Sequence, residues 1–345
     1  MLLRPKLFLT FALITAVPLL ILSGVGFLYA TTSATASMRA ELERDVASAK
    51  IAIESAVSFR HRELIDFASS RIVLDYLEKR RHSASKGSAN DAQHGSLLSE
   101  GDALLIDSVT HLISNKGFGS IFAHNSEGQM LFGFEANATD SGAPIAVRSM
   151  RLGETAPDPN VWKMAPGEII CANRNQAVAG PVLHCVTPVS DGGTTIGALT
   201  GDVRLDRVIT EAAQLAELRG SPTLSVNSAI VLDRSGYIVY HQNDAVKYQN
   251  VNDTLHEFGP VATAMLNGRS GQQVFTSDQG EQLLAMYTQL DAADLSLLLV
   301  RNYTSATRGL RRWGWSTVVI SGVIGLGLAT LLALMYQRKE RSIER

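Results

Sequence analysis

Residues 317–336, TVVISGVIGLGLATLLALMY, form an uncharged run of 20 residues. An α-helix of that length spans the roughly 30 Å hydrocarbon core of a bilayer. Trp313 and Trp315 precede the run, Tyr336 closes it, and Arg338, Lys339 and Arg341 follow. Aromatic residues at both ends and a basic anchor at one are what the membrane–water interface selects. A buried core helix is the competing reading, but such helices rarely avoid polar residues on every face for so long. A second uncharged run covers residues 7–30, behind Arg4 and Lys6. A signal peptide is its alternative, with Ala34-Thr35-Ala36 as a cleavage-type sequence, yet the run far exceeds a usual signal h-region. It is read as a retained transmembrane anchor.

Basic residues before the first span and after the second place residues 1–6 and 337–345 in the cytoplasm and the long intervening segment outside it. Arg308, Arg311 and Arg312 fall on the outer side, but long translocated domains do not follow the rule strictly. The chain has 345 residues, room for two domains, and a formal charge of −2, so no basic field points to nucleic acid. Two cysteines are too few for a disulfide-built scaffold. No P-loop, nucleophile elbow, H-E-x-x-H or dinucleotide fingerprint occurs, so no common catalytic constellation is present and no cofactor is expected.

The extracytoplasmic segment reads as α+β. Residues 38–79 are expected to form one long stalk helix. Val46, Ala49, Ile53, Val57, Leu64, Phe67, Leu74 and Leu77 recur at helical steps, and neither Gly nor Pro interrupts them. Residues 80–99 are rich in Ser, Gly and His and read as a loop, and 102–115 as a second helix. About five short strands follow between 120 and 205, with a proline-bearing irregular stretch at 136–166 and Asp191-Gly192-Gly193 as a hairpin turn. Residues 206–222 connect to a second sheet at 223–304, which repeats the opening hairpin around Asp233-Arg234-Ser235-Gly236. The second span is bounded at 314–336.

Several short strings in this order resemble a double Cache domain, the tandem PAS-like extracytoplasmic sensor of bacterial transmembrane receptors. They are PVSDGGTTIGALTGDVRLDRV at 188–208, VLDRSGYIVYH at 231–241, GRSGQQVF at 268–275 and LLAMYTQL at 283–290. The resemblance covers most of residues 38–303 and is strongest to the input half of sensor histidine kinases. It implies two PAS-like antiparallel-sheet units between the spans, a small-molecule site in the membrane-distal unit (100–205), a homodimer and an inner-membrane location.

The amine-binding subset of the family carries an Arg-x-Trp-Tyr string. Here Asn160-Val161-Trp162-Lys163 stands in its place without the Arg or the Tyr, so amino-acid binding is not implied. Asp202 matches the family's Asp at the end of the last distal strand, and either faces the pocket or organises the strand end. Arg148, Arg151 and Trp162 lie in the segment expected to cover the pocket, where guanidinium groups would suit carboxylate or phosphate. Ordinary solvated loop arginines are the alternative.

Cys171 and Cys185 are read as a disulfide in an oxidising compartment, with two free buried thiols as the alternative. A metal site with the neighbouring His184 lacks an evident fourth ligand, and no metal is expected. Ser321, Gly325, Ala329 and Ala333 recur every four residues along the second span, a stripe over which helices approach closely. Nine residues beyond that span hold no output domain, so the expected reading is the sensing part of a receptor acting through a cytoplasmic output module or partner. A stand-alone interaction protein with a ligand-free Cache fold is the alternative.

Overall fold

The computed structural model describes residues 5–85, 102–136, 144–146, 157–176, 180–215 and 226–343. The chain divides into two compact units. One comprises Met1–Asp45, Val274–Leu284 and Arg301–Arg345; the other comprises Val46–Gln273 and Ala285–Val300.

The first helix, α1, runs without interruption over Pro5–Ala68, so the anchor and the stalk expected at 7–30 and 38–79 are one helix. The threonines between them do not break it, because their hydroxyls turn back onto backbone carbonyls. Thr31 bonds Phe27 O (3.1 Å) and Thr35 bonds Thr31 O (2.8 Å). The stalk does not continue to residue 79 as one piece. It breaks at Ser69–Ser70, and α2 (Arg71–Ser85) restarts on the Ser70 carbonyl, which accepts from both Val73 and Leu74 N–H at 3.1 Å. Paired serines offer the backbone local partners in place of helix continuation. The break shifts the phase of the apolar stripe: Leu64 and Phe67 are buried in α1, whereas Val73, Tyr76 and Leu77 are buried in α2 and Leu74 is only half-buried. Helix α2 also extends into the segment expected to be a loop.

Helix α3 (Ala103–Lys116) buries Leu105, Val109, Leu112 and Ile113 and ends at Gly117 with φ 74°. The sheet that follows has six strands rather than about five. They are β1 (Phe118–Asn125), β2 (Met130–Ala136), β3 (Pro144–Ala146), β4 (Ile170–Gln176), β5 (Gly180–Asp191) and β6 (Thr194–Arg204), in the order β3-β2-β1-β6-β5-β4. The additional strand, β3, lies inside the stretch read as irregular. It is three residues long, on the sheet edge, and begins with Pro144, where a missing N–H does no harm. Between β5 and β6, Gly192 (φ 54°) and Gly193 (φ 84°) occupy both central positions of a tight hairpin. Two consecutive positive φ values make this the type I′ turn that matches strand twist.

Helix α4 (Leu205–Leu215) leads from β6 towards the second sheet, which has five strands. These are β7 (Val226–Asp233), β8 (Ile238–His241), β9 (Gly271–Thr276), β10 (Gln282–Leu290) and β11 (Leu295–Asn302), ordered β8-β7-β11-β10-β9. Short helices α5 (Val251–Thr254) and α6 (Gly259–Leu266) fill the β8–β9 connection. The internal repeat is visible in the turns. Asn125 N–H bonds Gln129 O and Gly128 N–H bonds Asn125 O (2.9 Å each); the β7–β8 turn makes the same pair of bonds, Asp233 N–H to Tyr237 O and Gly236 N–H to Asp233 O. The side chains correspond too. Asn125 Oδ1 accepts from the N–H of Glu127 and Gln129, and Asp233 Oδ1 from that of Ser235 and Tyr237.

Asp233 is buried, and desolvation pushes its carboxyl pKa up despite the backbone hydrogen bonds that pull it down. A carboxyl whose folded pKa is raised contributes favourably below its unfolded pKa and loses that contribution as pH rises through the folded value. Asp233→Asn, which copies Asn125, is therefore expected to gain stability relative to the wild type as pH rises from about 3 to 7. Asp233→Ala leaves two turn N–H groups without their acceptor and is expected to cost about 1–2 kcal/mol at any pH in that range. Urea unfolding midpoints at several pH values check both; an Asn variant that weakens with rising pH would refute the assignment.

In the unit formed by the chain ends and the β9–β10 turn, α7 (Tyr303–Ile343) begins at the residue after β11. The thirteen or so residues expected to link strand and span are thus already helical. Buried Arg301 on β11 donates to Glu41 (2.9 Å) and Asp45 (3.2 Å) of α1. Along the apolar stretch, Ser23 and Ser321 hydroxyls meet at 2.7 Å and Thr15 Oγ1 lies 3.1 Å from Gly325 O. Phe27 covers Gly314, the Phe11 and Tyr336 rings lie 6.3 Å apart, and Ala329 and Ala333 are fully buried.

Candidate functional site

In an antiparallel sheet, residues directly opposite one another point to the same face. One rung of the six-stranded sheet carries Glu135 (β2), Ser120 (β1), Asp202 (β6) and His184 (β5), paired in that order. Ser120 Oγ donates to Asp202 Oδ2 at 2.6 Å, and His184 Nδ1 lies 2.6 Å from Asp202 Oδ1. Ser120, Asp202 and His184 are 4, 7 and 5 % exposed. A carboxylate only accepts, so the proton of the His184–Asp202 bond belongs to Nδ1. His184 Nε2 is left buried with no hydrogen-bond partner among the described residues. Glu135 stands at the far end of the rung, where desolvation, and then the Asp202 carboxylate, push its carboxyl pKa up.

The next two rungs on this face are mostly apolar, with buried Thr200 between Phe122 and Val186 and buried His124 opposite Ala198. Val186 and Ala198 join Val161 in a buried cluster, and Trp162 and Met164 pack on it. Trp162 is placed by a 3₁₀ turn, Pro159–Lys163, whose entry Asp158 caps by accepting from Asn160 N–H at 2.8 Å. The turn is tied back where Glu168 Oε2 accepts from Ala165 N–H and Glu168 O accepts from the Thr187 hydroxyl, both at 2.8 Å. The structure thus puts Asp202 and Trp162 on one face of the sheet. Arg148 and Arg151 lie outside the described residues. Sequence reasoning missed Ser120 and Glu135 as members of the site, because only strand register brings them to Asp202.

The opposite face packs on helices. Leu64 of α1 and Phe118 both lie against Gly201, and Leu77 of α2 lies against Gly197. Cys171 and Cys185 are directly paired on this face and bonded, with an S–S distance of 2.11 Å. His61 of α1 brings Nε2 to 3.3 Å from Cys171 Sγ. The Cys-Cys-His grouping imagined with His184 therefore does not form. Side chains alternate along β5, so adjacent His184 and Cys185 point to opposite faces, and the histidine beside the sulfurs comes from α1.

A further concavity of about 270 Å³ in the second sheet is lined by Arg234, Asn267, Gln289, Asp294 and Ser296 among others. Its polar atoms largely satisfy one another: Gln289 Nε2 donates to Met265 O (2.7 Å), and the Ser296 hydroxyl donates to Gln289 Oε1 (3.1 Å).

No protein-family model matches the chain, and no curated protein matches it in sequence. Solved structures do match. One is the extracellular domain of a proposed histidine kinase, with a TM-score of 0.54 and 12 % identity, covering 80 % of this chain and 98 % of that one. Another is a domain of a proposed sensory box/GGDEF-family protein from Vibrio parahaemolyticus, also at 0.54 and 12 %, covering 79 % and 99 %. At such identity the likeness is one of fold. The chain has the long helix and paired antiparallel sheets of the double Cache arrangement found in extracellular sensory domains, with an apolar helix at each end long enough to cross a membrane.

Proposed function

We propose that this chain is the extracytoplasmic ligand-sensing region of a bacterial inner-membrane receptor. It binds a small molecule on the β1–β6–β5 face of the six-stranded sheet and passes the binding event through α7 to a cytoplasmic output, most simply a histidine kinase. The observation that supports this is the buried Ser120–Asp202–His184 row. Three polar side chains are held in the sheet, and one ring nitrogen is left without a partner in an otherwise satisfied network. A buried unpaired polar atom costs free energy that a ligand can return by pairing with it. With Glu135 at its end the row offers two carboxyl groups and an imidazole, suited to a ligand that donates hydrogen bonds, and Trp162 with its apolar cluster supplies a flat wall for the ligand's carbon skeleton.

The two apolar helices fit membrane insertion by their outward surfaces. Leu13, Ile14, Leu22 and Val25 of α1, and Ile320, Val323 and Leu331 of α7, are each more than half exposed. Lipid satisfies such a surface and water does not. Both termini then lie in the cytoplasm and the sheets outside it, with a homodimer as the working assembly.

The test is a thermal-shift screen of the full chain in detergent against amines, polyols, hydroxy acids and dicarboxylates, repeated on Trp162→Ala. A ligand that raises the wild-type transition, and raises it less in the variant, supports the site. A shift unchanged by Trp162→Ala would move binding elsewhere. Silence across the panel would favour a ligand-free interaction role.

A further inference from the structure

We propose that, once its disulfide is reduced, the Cys171–Cys185 pair forms with His61 a binding site for a thiophilic d¹⁰ cation of the Zn²⁺ class. This site is separate from the ligand face, on the other side of the same sheet.

The geometry needs little change. His61 Nε2 and the two Sγ atoms all lie within 4.8 Å of one another. A tetrahedral zinc with Zn–S near 2.3 Å and Zn–N near 2.0–2.1 Å places its sulfurs about 3.8 Å apart and its nitrogen about 3.5 Å from each. His61 Nε2 is already 3.3 Å from Cys171 Sγ. Breaking the S–S bond lets the two sulfurs separate, and Cys185 Sγ, within 4.8 Å of His61 Nε2, needs a shift of at most about 1.3 Å towards it. The donors stand on three regular elements, α1, β4 and β5, and Cys185 is fully buried. Donors on helices and strands are held more narrowly than donors on loops. Two thiolates and an imidazole leave the fourth position open to water or an incoming ligand, as in catalytic zinc sites with the same donor set.

The chemistry balances in two steps. An incoming dithiol attacks the disulfide and leaves as its own disulfide, transferring two electrons and two protons to give two cysteine thiols. The cation then displaces both thiol protons, forming two metal–thiolate bonds and one bond to the imidazole. Disulfide and metal are mutually exclusive, so occupancy reports the thiol redox state of the compartment, and the metal joins α1 to the β4–β5 hairpin where the disulfide joined only the two strands.

The full chain in detergent, reduced with a dithiol and freed of it anaerobically, would be titrated with Co²⁺ and then Zn²⁺. The expected result is one equivalent of cobalt with thiolate charge-transfer absorption, displaced by zinc, and a rise in melting temperature with zinc that the oxidised chain does not show. His61→Ala should keep its melting transition but weaken zinc binding by at least the roughly 10–100-fold typical of losing even an outer-shell partner. Three results would each overturn the proposal: no charge-transfer band, equal affinity in His61→Ala, or loss of the melting transition on reduction alone.

Discussion

Asp202→Ala is expected to remove ligand-induced stabilisation altogether and to lower the unfolding free energy by about 2–6 kcal/mol. The second figure follows from what the substitution leaves behind. Asp202 is the acceptor for both Ser120 Oγ and His184 Nδ1, at 2.6 Å each, and both partners are at least nine-tenths buried. A buried donor stripped of its acceptor costs about 1–3 kcal/mol, and here two are stripped at once. Water entering the vacated volume would reduce the loss towards the lower bound. Asp202→Asn separates structure from function: its amide can accept from His184 and donate to Ser120, so it is expected to cost no more than about 1 kcal/mol while removing the negative charge. Denaturant unfolding with and without a ligand from the screen distinguishes the two roles. A stable, ligand-unresponsive Asp202→Asn places the carboxylate in the binding event. A responsive Asp202→Asn would make Asp202 only the organiser of a strand end.

The sequence reading reached the sheet-helix-sheet order because its signals are local. Apolar stripes, Gly-containing turns and two uncharged runs each depend on neighbouring residues. It failed where the decisive contact is non-local or where short-range chemistry overrides pattern. Ser69 and Ser70 break a helix that no Gly or Pro marks, and the break re-phases the stripe so that Val73 and Tyr76 replace Leu74 in the core. Ser120 and Glu135 enter the site only through a register fixed by cross-strand pairing. His61 lies 110 residues from Cys171 and meets it only through the packing of α1 on the sheet. By contrast, Asp202 was reached through its match to the family's Asp near the end of the last distal strand, and the Asn125 and Asp233 turns because an acidic or amide side chain and a Gly recur at fixed spacing in both.

On the proposed transmission through α7, Gly325→Leu is expected to shift the two-state equilibrium of the helix pair about five- to thirty-fold, while Gly327→Leu in the same helix leaves it unchanged. A β-carbon at 325 would lie 2.7 Å from Ala16 Cα and 2.9 Å from Ala16 Cβ, whereas one at 327 would meet nothing within 4 Å. Ala16 Cα is backbone and has no rotamer through which to yield, so α1 and α7 must move apart or rotate. Either motion breaks the Thr15–Gly325 approach and the Ser23–Ser321 hydroxyl pair. Interhelical polar contacts in membranes contribute about 0.6 kcal/mol each, so two of them with the lost close packing give about 1–2 kcal/mol. That energy corresponds to the stated factor in a two-state equilibrium. It is also applied where it can act: β11 passes into α7 at Tyr303 without a loop, and buried Arg301 ties that junction to Glu41 and Asp45. The measurement is the crosslinking yield between Ser23→Cys and Ser321→Cys in membranes, read beside reporter output with each leucine variant. A lower yield and altered output for Gly325→Leu alone assigns the stripe to helix pairing within the chain. An unchanged yield with altered output would assign it to pairing between chains, and no change in either would make the second span an anchor.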